Sequence, residues 1–365
     1  MRKFQLSALL LIVLTVFSTL ISCEKDPEPQ SDFLPEKFSV DIPSSISSET
    51  SAGRTQADTL NGNVVYLNLA TFIAVGSGSA KLVEEFITGI RRYGLEKVET
   101  ASFTSDDDNR LKNAVVKKDV EFGGKNWQFA ITVTDAESEG NPDGGKALQI
   151  YWNHGSPVHG IAVIKPYNCN RTSNGGIKDA IFQIKYDEQT DLGYEAQMEV
   201  SISGMPLPLD NPFAISTLRM FAGRKGDIVD VYGNSTHPNA GFFTGQRGYS
   251  WAFVAAGSNE SNIGVAEVGL PSSSLDNSDR TKLLKEYSIK NVFTTEITTA
   301  FPFIPPVVVN SYLKNTSAPG YFDNKGFVAG GKSPATSYNA LTARLDALSP
   351  YNPKATSTLR VTFGE

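Results

Sequence analysis

The chain has 365 residues, of which 33 are Lys or Arg and 39 are Asp or Glu, giving a net charge of −6 at pH 7. This acidic balance disfavours nucleic-acid binding, because phosphates must be neutralised by basic side chains. It also disfavours a polybasic contact with a membrane surface. Since the chain has only two cysteines, a packed core rather than a disulfide framework must hold the fold.

The first 23 residues have the pattern of an export signal. Arg2 and Lys3 precede a mostly apolar run over residues 6–21, which is shorter than the about 20 residues of a membrane-spanning helix. The run ends in Leu20-Ile21-Ser22-Cys23, which resembles the lipobox of bacterial lipoproteins. The resemblance implies that residues 1–22 are removed as a lipoprotein signal peptide and that Cys23 carries the lipid anchor. An uncut signal anchor, or an ordinary cleaved signal followed by a chance cysteine, remains as an alternative.

Residues 23–58 are predicted to form a lipidated, flexible tether. Glu24-Lys25-Asp26 resembles the acidic tag that sends some lipoproteins of Gram-negative bacteria to the outer face of the outer membrane. A lipid-anchored outer-membrane protein displayed at the cell surface is therefore expected, with a domain facing the periplasm as the alternative. Prolines and serines up to residue 48 favour an extended chain, in which residues 38–42 could instead pair as an edge strand.

The main β-rich domain is predicted over residues 59–275 and begins with one helix. Residues 64–75 are almost continuously apolar, so their pattern does not separate a helix from a buried strand. Ser79 suits the N-cap of a helix that ends at Tyr93, and Gly94 suits the position after it. The apolar residues between these ends recur at helical spacing.

From residue 126 to residue 270 the apolar residues alternate with polar ones, as in Trp127, Phe129 and Ile131. Turn-forming clusters separate the runs, and short connections favour an antiparallel meander. Residues 276–365 are predicted to be a mixed α/β segment packed on the same domain. It includes a strand over residues 307–313 and a final strand in which Leu359, Val361 and Phe363 share one face.

The predicted fold class is therefore α+β, mainly β: an antiparallel meander sheet with helices covering one face. A curved, incompletely closed barrel, an architecture that periplasmic lipid carriers have, is one form of this arrangement.

Two sets of residues have side chains that could act as metal ligands. Asp135, Glu137 and Glu139 place carboxylates at the spacing of a calcium loop, but Lys146 stands where that loop has its bidentate glutamate. They form a weak calcium candidate beside the simpler interpretation of a solvated hairpin loop. His154 and His159 flank a predicted turn, and no third ligand accompanies them. Neither a metal nor a cofactor is therefore expected.

No residue set predicts catalysis. Cys169 lies in a loop-like segment with no base beside it. His237, which precedes Pro238, is interpreted as a loop residue. Ser250 lies in Gly248-Tyr249-Ser250-Trp251-Ala252, which approaches the nucleophile elbow of α/β-hydrolases but lacks its second glycine.

Aromatic residues are the remaining candidates for a binding site, because their rings stack on sugars as well as filling cores. Trp127 and Trp152 fit the buried face of the predicted strands. Tyr167, Tyr249 and Tyr321 lie at strand ends or in loop-like segments, and we expect them to be exposed and to bind ligand.

Together these features predict a membrane-anchored bacterial lipoprotein that binds an extracellular ligand, a glycan, without catalysis. Its expected partners are the membrane, through Cys23, and a glycan or lipid ligand, but no nucleic acid. One alternative is an envelope carrier of lipids or other apolar ligands, with a half-barrel cavity lined by the sheet and the helix over residues 79–93. Another is a hydrolase with an unrecognised site.

Overall fold

The computed structural model describes residues 34–48, 62–208, 211–241 and 248–365. Within these ranges the chain forms one antiparallel sheet of 13 strands whose spatial order is the order of the sequence. The sheet does not close into a barrel, and a few helices pack on it, so the predicted mainly β class is confirmed. The signal peptide, Cys23 and residues 24–33 and 49–58 of the predicted tether lie outside the described residues.

The strands follow one another as a meander in which each pairs with the next. Their bounds are β1 Thr100–Thr104, β2 Leu111–Phe122, β3 Lys125–Asp135, β4 Lys146–Trp152, β5 His159–Ile164, β6 Ile181–Glu188, β7 Ala196–Ser203, β8 Thr217–Lys225, β9 Ile228–His237, β10 Tyr249–Ser258, β11 Ile263–Gly269, β12 Gly320–Asp323 and β13 Gly326–Gly330. The alternation predicted from residue 126 to residue 270 corresponds to strands β3 to β11. Strands β1, β2, β12 and β13 were not predicted.

The α-helices are α1 Ser44–Ser47, α2 Gly62–Arg92, α3 Pro166–Cys169, α4 Ile289–Ala300, α5 Pro306–Tyr312, α6 Asn339–Arg344 and α7 Pro353–Ser357. A π-helix covers Lys282–Glu286, and 3-10 turns cover Leu95–Lys97, Ala136–Ser138, Gly175–Ile177, Thr336–Tyr338 and Leu345–Ala347. The side chain of Asp279 accepts a hydrogen bond from the backbone nitrogen of Lys282 at 2.7 Å, which caps the start of this helical segment. Residues 307–313 were predicted as a strand, but Pro305 and Pro306 start helix α5 there.

Helix α2 crosses one face of the sheet and resolves the ambiguity of residues 64–75, which are helical. The helix has 31 residues and begins well before the predicted N-cap at Ser79. Val65, Leu69, Ile73 and Ile87 recur on one face and are at most 1% exposed. The indole nitrogen of Trp251 on β10 donates to the carbonyl oxygen of Val65 at 3.3 Å, which ties the helix to the sheet.

Residues 34–48 are packed beside α2 on the same face, so the prediction of a tether over residues 23–58 is wrong for this part. Phe38 is buried over Gly160, where a Cβ atom would lie 2.4 Å from its ring. Ile46 is likewise buried over Gly264, where a Cβ atom would lie 2.3 Å from its side chain. The glycines let this segment approach the strands closely. Residues 38–42 do not form the edge strand that the sequence allows.

The C-terminal segment covers the opposite face of the later strands. Leu283, Leu341, Leu345 and Leu348 form a second apolar cluster with side chains of β10 and β11. All ten residues of β10 are buried as a result, whereas β7 alternates between buried and half-buried residues. These contacts hold the C-terminal segment against strands β10 and β11.

The last residues form an extended tail rather than the predicted final strand. The backbone of Val361 donates to the hydroxyl of Ser203 on β7 at 3.1 Å. Further along, the backbone nitrogen of Gly364 donates to the side chain of Gln149 on β4 at 2.7 Å. The side chains of the sheet satisfy the tail's backbone, so it does not pair with a neighbouring strand.

Candidate functional site

An open cleft of about 380 Å³ lies where strands β2 and β3 meet the β4–β5 connection. It is lined by Lys118, Asp119, Gln128, Phe129 and His154. One aromatic ring is thus surrounded by a carboxylate, an amine, an amide and an imidazole. Ligand sites combine apolar surface with a few polar groups that fix orientation, and this cleft has both.

Asp119 has an unusual backbone conformation for its place in the sheet. It lies inside the 12-residue strand β2, yet its φ angle is +54°. The pairs Lys118–Phe129 and Val120–Trp127 continue the ladder on both sides of it. A non-glycine residue in this region costs about 1–3 kcal/mol, and such strain concentrates at binding and catalytic sites. The strain therefore marks the cleft as a functional candidate.

The walls of the cleft are held by contacts behind them. The ring of Phe129 stacks on that of Trp152, with centroids 5.6 Å apart, and Trp152 is fully buried. The side chain of Gln128 accepts a hydrogen bond from the backbone of His154 at 2.8 Å. In return, the side chain of Asn153 accepts one from the backbone of Gln128 at 3.0 Å. These contacts fix the relative positions of β3 and the β4–β5 connection before any ligand binds.

The three tyrosines predicted to bind ligand lie away from this cleft. Tyr249 and Tyr321 are 8% and 4% exposed, so the expectation that they are exposed is wrong. The hydroxyl of Tyr249 donates to Glu296 at 3.0 Å, and burial followed by the Glu296 charge raises the pKa of Tyr249. The ring of Tyr321 packs against that of Tyr338. Tyr167 is half-buried, and the guanidinium of Arg171 covers its ring at 4.3 Å.

The weak calcium candidate is occupied by cations of the chain itself. Asp135 is fully buried and is held by the guanidiniums of Arg110 and Arg171 at 3.0 and 3.1 Å. Glu137 pairs with Arg110, and Glu139 accepts a hydrogen bond from Asn113. Among the described residues, no group of three His, Cys, Asp or Glu side chains could hold a metal ion.

The electrostatics of Asp135 agree with a structural role. Burial by itself raises the pKa of this carboxyl. Hydrogen bonds from Arg110 and Ser138 and the nearby charge of Lys112 outweigh burial, so the pKa is lowered. Asp135 is therefore ionised at neutral pH and joins the ends of β2 and β3 to the α3 segment through Arg171.

His237 is fully buried at the end of β9, and the prediction that it is a loop residue is wrong. Its Nδ1 lies 3.2 Å from the carbonyl oxygen of Phe213, which can only accept, so Nδ1 carries the proton. Its Nε2 then accepts from the hydroxyl of Ser235 at 2.8 Å. Burial lowers the pKa of His237 to about 3, so the ring is neutral. Because Ser235 is also fully buried, the pair binds the strand to its surroundings and offers no nucleophile to a substrate.

The other candidate groups for catalysis are separated from one another. Cys169 is buried, and burial raises the pKa of its thiol, so it is protonated. His159 pairs with Asp187 at 2.9 Å, whereas His154 lines the cleft. Ser250 is fully buried within β10.

The space that the lipid-carrier alternative requires is occupied in the described structure. Phe72, Ile73, Val83 and Ile87 of α2 are at most 1% exposed and belong to one apolar cluster with the strands beneath them. The buried side chains of the helix therefore pack directly on the strands.

No protein-family model, curated protein or solved structure matches this chain. Among the described helices, none combines the length and apolar character needed to cross a membrane. The candidate site therefore depends on its own geometry. From the sequence, Phe129 is predicted only as part of an alternating strand, and His154 only as one of two histidines that flank a turn and lack a third metal ligand. The left-handed conformation of Asp119 leaves no signal in Lys117-Lys118-Asp119-Val120, which contains no glycine to mark it.

Proposed function

We propose that this chain is a non-catalytic lipoprotein of the bacterial cell envelope, anchored through Cys23, whose folded domain binds a glycan in the cleft around Asp119. The observation that carries the proposal is the strained Asp119 beside an accessible aromatic ring. The lipobox pattern in residues 20–23 supports the location, and the acidic residues 24–26 support display at the cell surface.

The chemistry of the cleft suits a sugar. A carboxylate accepts hydrogen bonds from paired hydroxyls, and the Asp119 side chain is exposed at the cleft. Gln128 uses its oxygen to accept from His154, so its amide nitrogen can donate to a ligand. Phe129 presents an apolar ring on which the C–H face of a sugar can rest. Lys118 adds a donor at the rim, and together these groups can form hydrogen bonds with sugar hydroxyls.

A glycan array probed with the mature chain, followed by titration calorimetry on the strongest binders, tests this function. Asp119→Asn should weaken binding at least about tenfold, or about 1.4 kcal/mol, because the charged acceptor is lost. Phe129→Leu should weaken it by a similar factor. Asp191→Asn changes an exposed carboxylate in the β6–β7 connection and should leave binding unchanged. Absence of binding across the array, or equal affinity in all three variants, would contradict the proposal.

The anchor is tested separately from the ligand. Intact-mass analysis of the native product should show acyl groups on a chain that begins at Cys23. Protease treatment of intact cells should then degrade the domain if it faces outward and spare it if it faces the periplasm. An unmodified thiol at Cys23 would refute the anchor while leaving the result on glycan binding standing.

A further inference from the structure

One segment of the surface is far more apolar than the rest. Phe301, Phe303, Val307 and Tyr312 are 59%, 98%, 74% and 58% exposed, and all four lie within residues 301–312. We call this segment, the connection between α4 and α5 together with α5 itself, the apolar ridge. Scattered exposed apolar residues are normal, but a concentration such as this one marks a contact surface.

The ridge has a restricted backbone and is attached to the rest of the fold by buried residues. Its sequence has three prolines, Pro302, Pro305 and Pro306, which restrict the backbone. Val309 is buried beneath it, as is Leu313 just beyond it. The carbonyl oxygen of Lys314 accepts a hydrogen bond from the backbone of Gly62, the first residue of α2. The packed residues therefore hold the exposed aromatic rings outward.

The ridge also has no charge. The 17 residues from Ile297 to Leu313 contain no Asp, Glu, Lys or Arg, although a fifth of the whole chain is charged. Charged groups resist transfer into the interfacial region of a bilayer, whereas aromatic rings favour it. An uncharged run with exposed Phe and Tyr therefore fits a lipid surface better than a polar protein surface.

The length of the tether and the place where it joins the domain allow the ridge to reach the bilayer. Glu36 pairs with Arg91 near the end of α2, and the ridge lies beside its start, so α2 separates them by about 46 Å. Only 11 residues, 23–33, connect the expected lipid to the packed chain at Leu34, and fully extended they reach about 36–40 Å. A domain that lies with α2 along the membrane can therefore place both the tether and the ridge at the bilayer.

We infer that the apolar ridge is a second membrane contact, which inserts Phe301 and Phe303 into the interface of the bilayer that holds the lipidated Cys23. The inference depends on the lipid anchor of the proposed function, though not on the glycan. The acyl groups confine the domain to the surface. The ridge then sets its orientation, with α2 along the membrane.

Tryptophan fluorescence in brominated vesicles tests this contact directly. The three native tryptophans, Trp127, Trp152 and Trp251, are at most 3% exposed, so an added indole reports on its own surroundings. The lipidated chain with Phe303→Trp is reconstituted in phosphatidylethanolamine–phosphatidylglycerol vesicles with brominated acyl chains. The matched control is Leu192→Trp, in the exposed β6–β7 connection. At position 303 we expect the fluorescence of the added tryptophan to be blue-shifted and strongly quenched. At position 192 we expect neither change.

Each other outcome contradicts the inference. Unquenched emission at position 303 means that the ridge does not enter the bilayer. Quenching at both positions means that the domain meets the surface without a preferred face. If position 303 is unquenched in vesicles but shielded in native envelope fragments, a protein covers the ridge instead. Intact mass confirms acylation of each sample, so that failure of the anchor is recognised separately. Because Phe303 is almost fully exposed, its substitution should not alter folding, which circular dichroism checks.

Discussion

Strand β10 and the β2–β3 hairpin belong to one sheet but differ in what surrounds them. Strand β10 lies between two layers, with α2 on one face and the C-terminal leucine cluster on the other, and every residue in it is buried. The hairpin is exposed over residues 117–119 and 123–126, and it carries the strained Asp119 and the cleft. The comparison indicates that a strand covered on both faces supplies stability, while the exposed hairpin can carry backbone strain and a binding site.

Truncating one buried side chain on each face of β10 tests this difference with the largest expected effect. Phe253→Ala should lower the free energy of unfolding by about 3–5 kcal/mol, and Val254→Ala by about 2 kcal/mol, because each leaves a cavity in a different layer. Urea unfolding followed by circular dichroism measures both changes. The hairpin control, Lys117→Ala, changes an exposed residue and should stay within about 0.5 kcal/mol of the wild type. If either β10 variant matched the control, that layer would not be a true core.

The base of the hairpin should behave unlike its tip. Asp135→Ala leaves Arg110, Lys112 and Arg171 without the buried carboxylate between them and should cost about 3 kcal/mol of unfolding free energy. Glu137→Ala removes an exposed partner of the same Arg110 and should cost less than about 1 kcal/mol. Denaturant titration compares the two. Equal costs would mean that burial of the Asp135 charge does not matter.

The buried His237 at the end of β9 makes the stability of the fold depend on pH. Its folded pKa of about 3 lies below the ordinary value of 6.5, so below pH 6.5 the unfolded chain binds a proton that the folded chain does not. Stability from this residue is complete above pH 6.5 and falls by up to about 1.4 kcal/mol per pH unit as the pH is lowered towards 3. Unfolding free energies measured between pH 6 and pH 4.5 show this slope.

The carboxyls of Asp108, Asp135 and Asp143 contribute little to the slope of the unfolding free energy between pH 6 and pH 4.5. Hydrogen bonds and charges from their cationic neighbours lower their pKa values below 3.8. Their contribution is therefore lost as the pH falls from the ordinary carboxyl pKa of about 3.8 towards the lowered values, which lies mostly below this window. His237→Gln should flatten the slope between pH 6 and pH 4.5, and an unchanged slope would assign it to another group.

The difference between strands with one exposed face and strands covered on both faces also explains which elements could be predicted from the sequence. Strand β7 has one wet face, so Met198, Val200 and Ile202 alternate with polar residues, and the pattern gave both the strand and its buried side. In α2, an apolar stretch of residues 64–75 is consistent with two structures, and only contact with the sheet decides between them. Residues 34–48 have the composition of a tether, but Phe38 and Ile46 fit over glycines more than 100 positions away, which no local pattern shows.

The candidate site could not be predicted from short stretches of sequence, because it depends on contacts between distant segments. Tyr249 and Tyr321 stand at strand ends, where an isolated sheet would expose them, but the C-terminal segment buries both. The lining residues of the cleft come from β2, β3 and the β4–β5 connection, and they meet only because the strands pair in register.

Asp119→Gly should give the smallest effect, and its direction is the most informative. Glycine adopts a φ of +54° without strain, so the variant should gain about 1 kcal/mol of unfolding free energy. The same change removes the carboxylate and should abolish measurable glycan binding. Lys117→Gly, two residues earlier in the same strand and without a positive φ, should instead lose about 0.5–1 kcal/mol. Chemical denaturation gives both signs. A gain in stability together with a loss of binding would show that Asp119 is kept for its ligand at the expense of the fold, whereas a loss of stability would make it a structural residue of the hairpin.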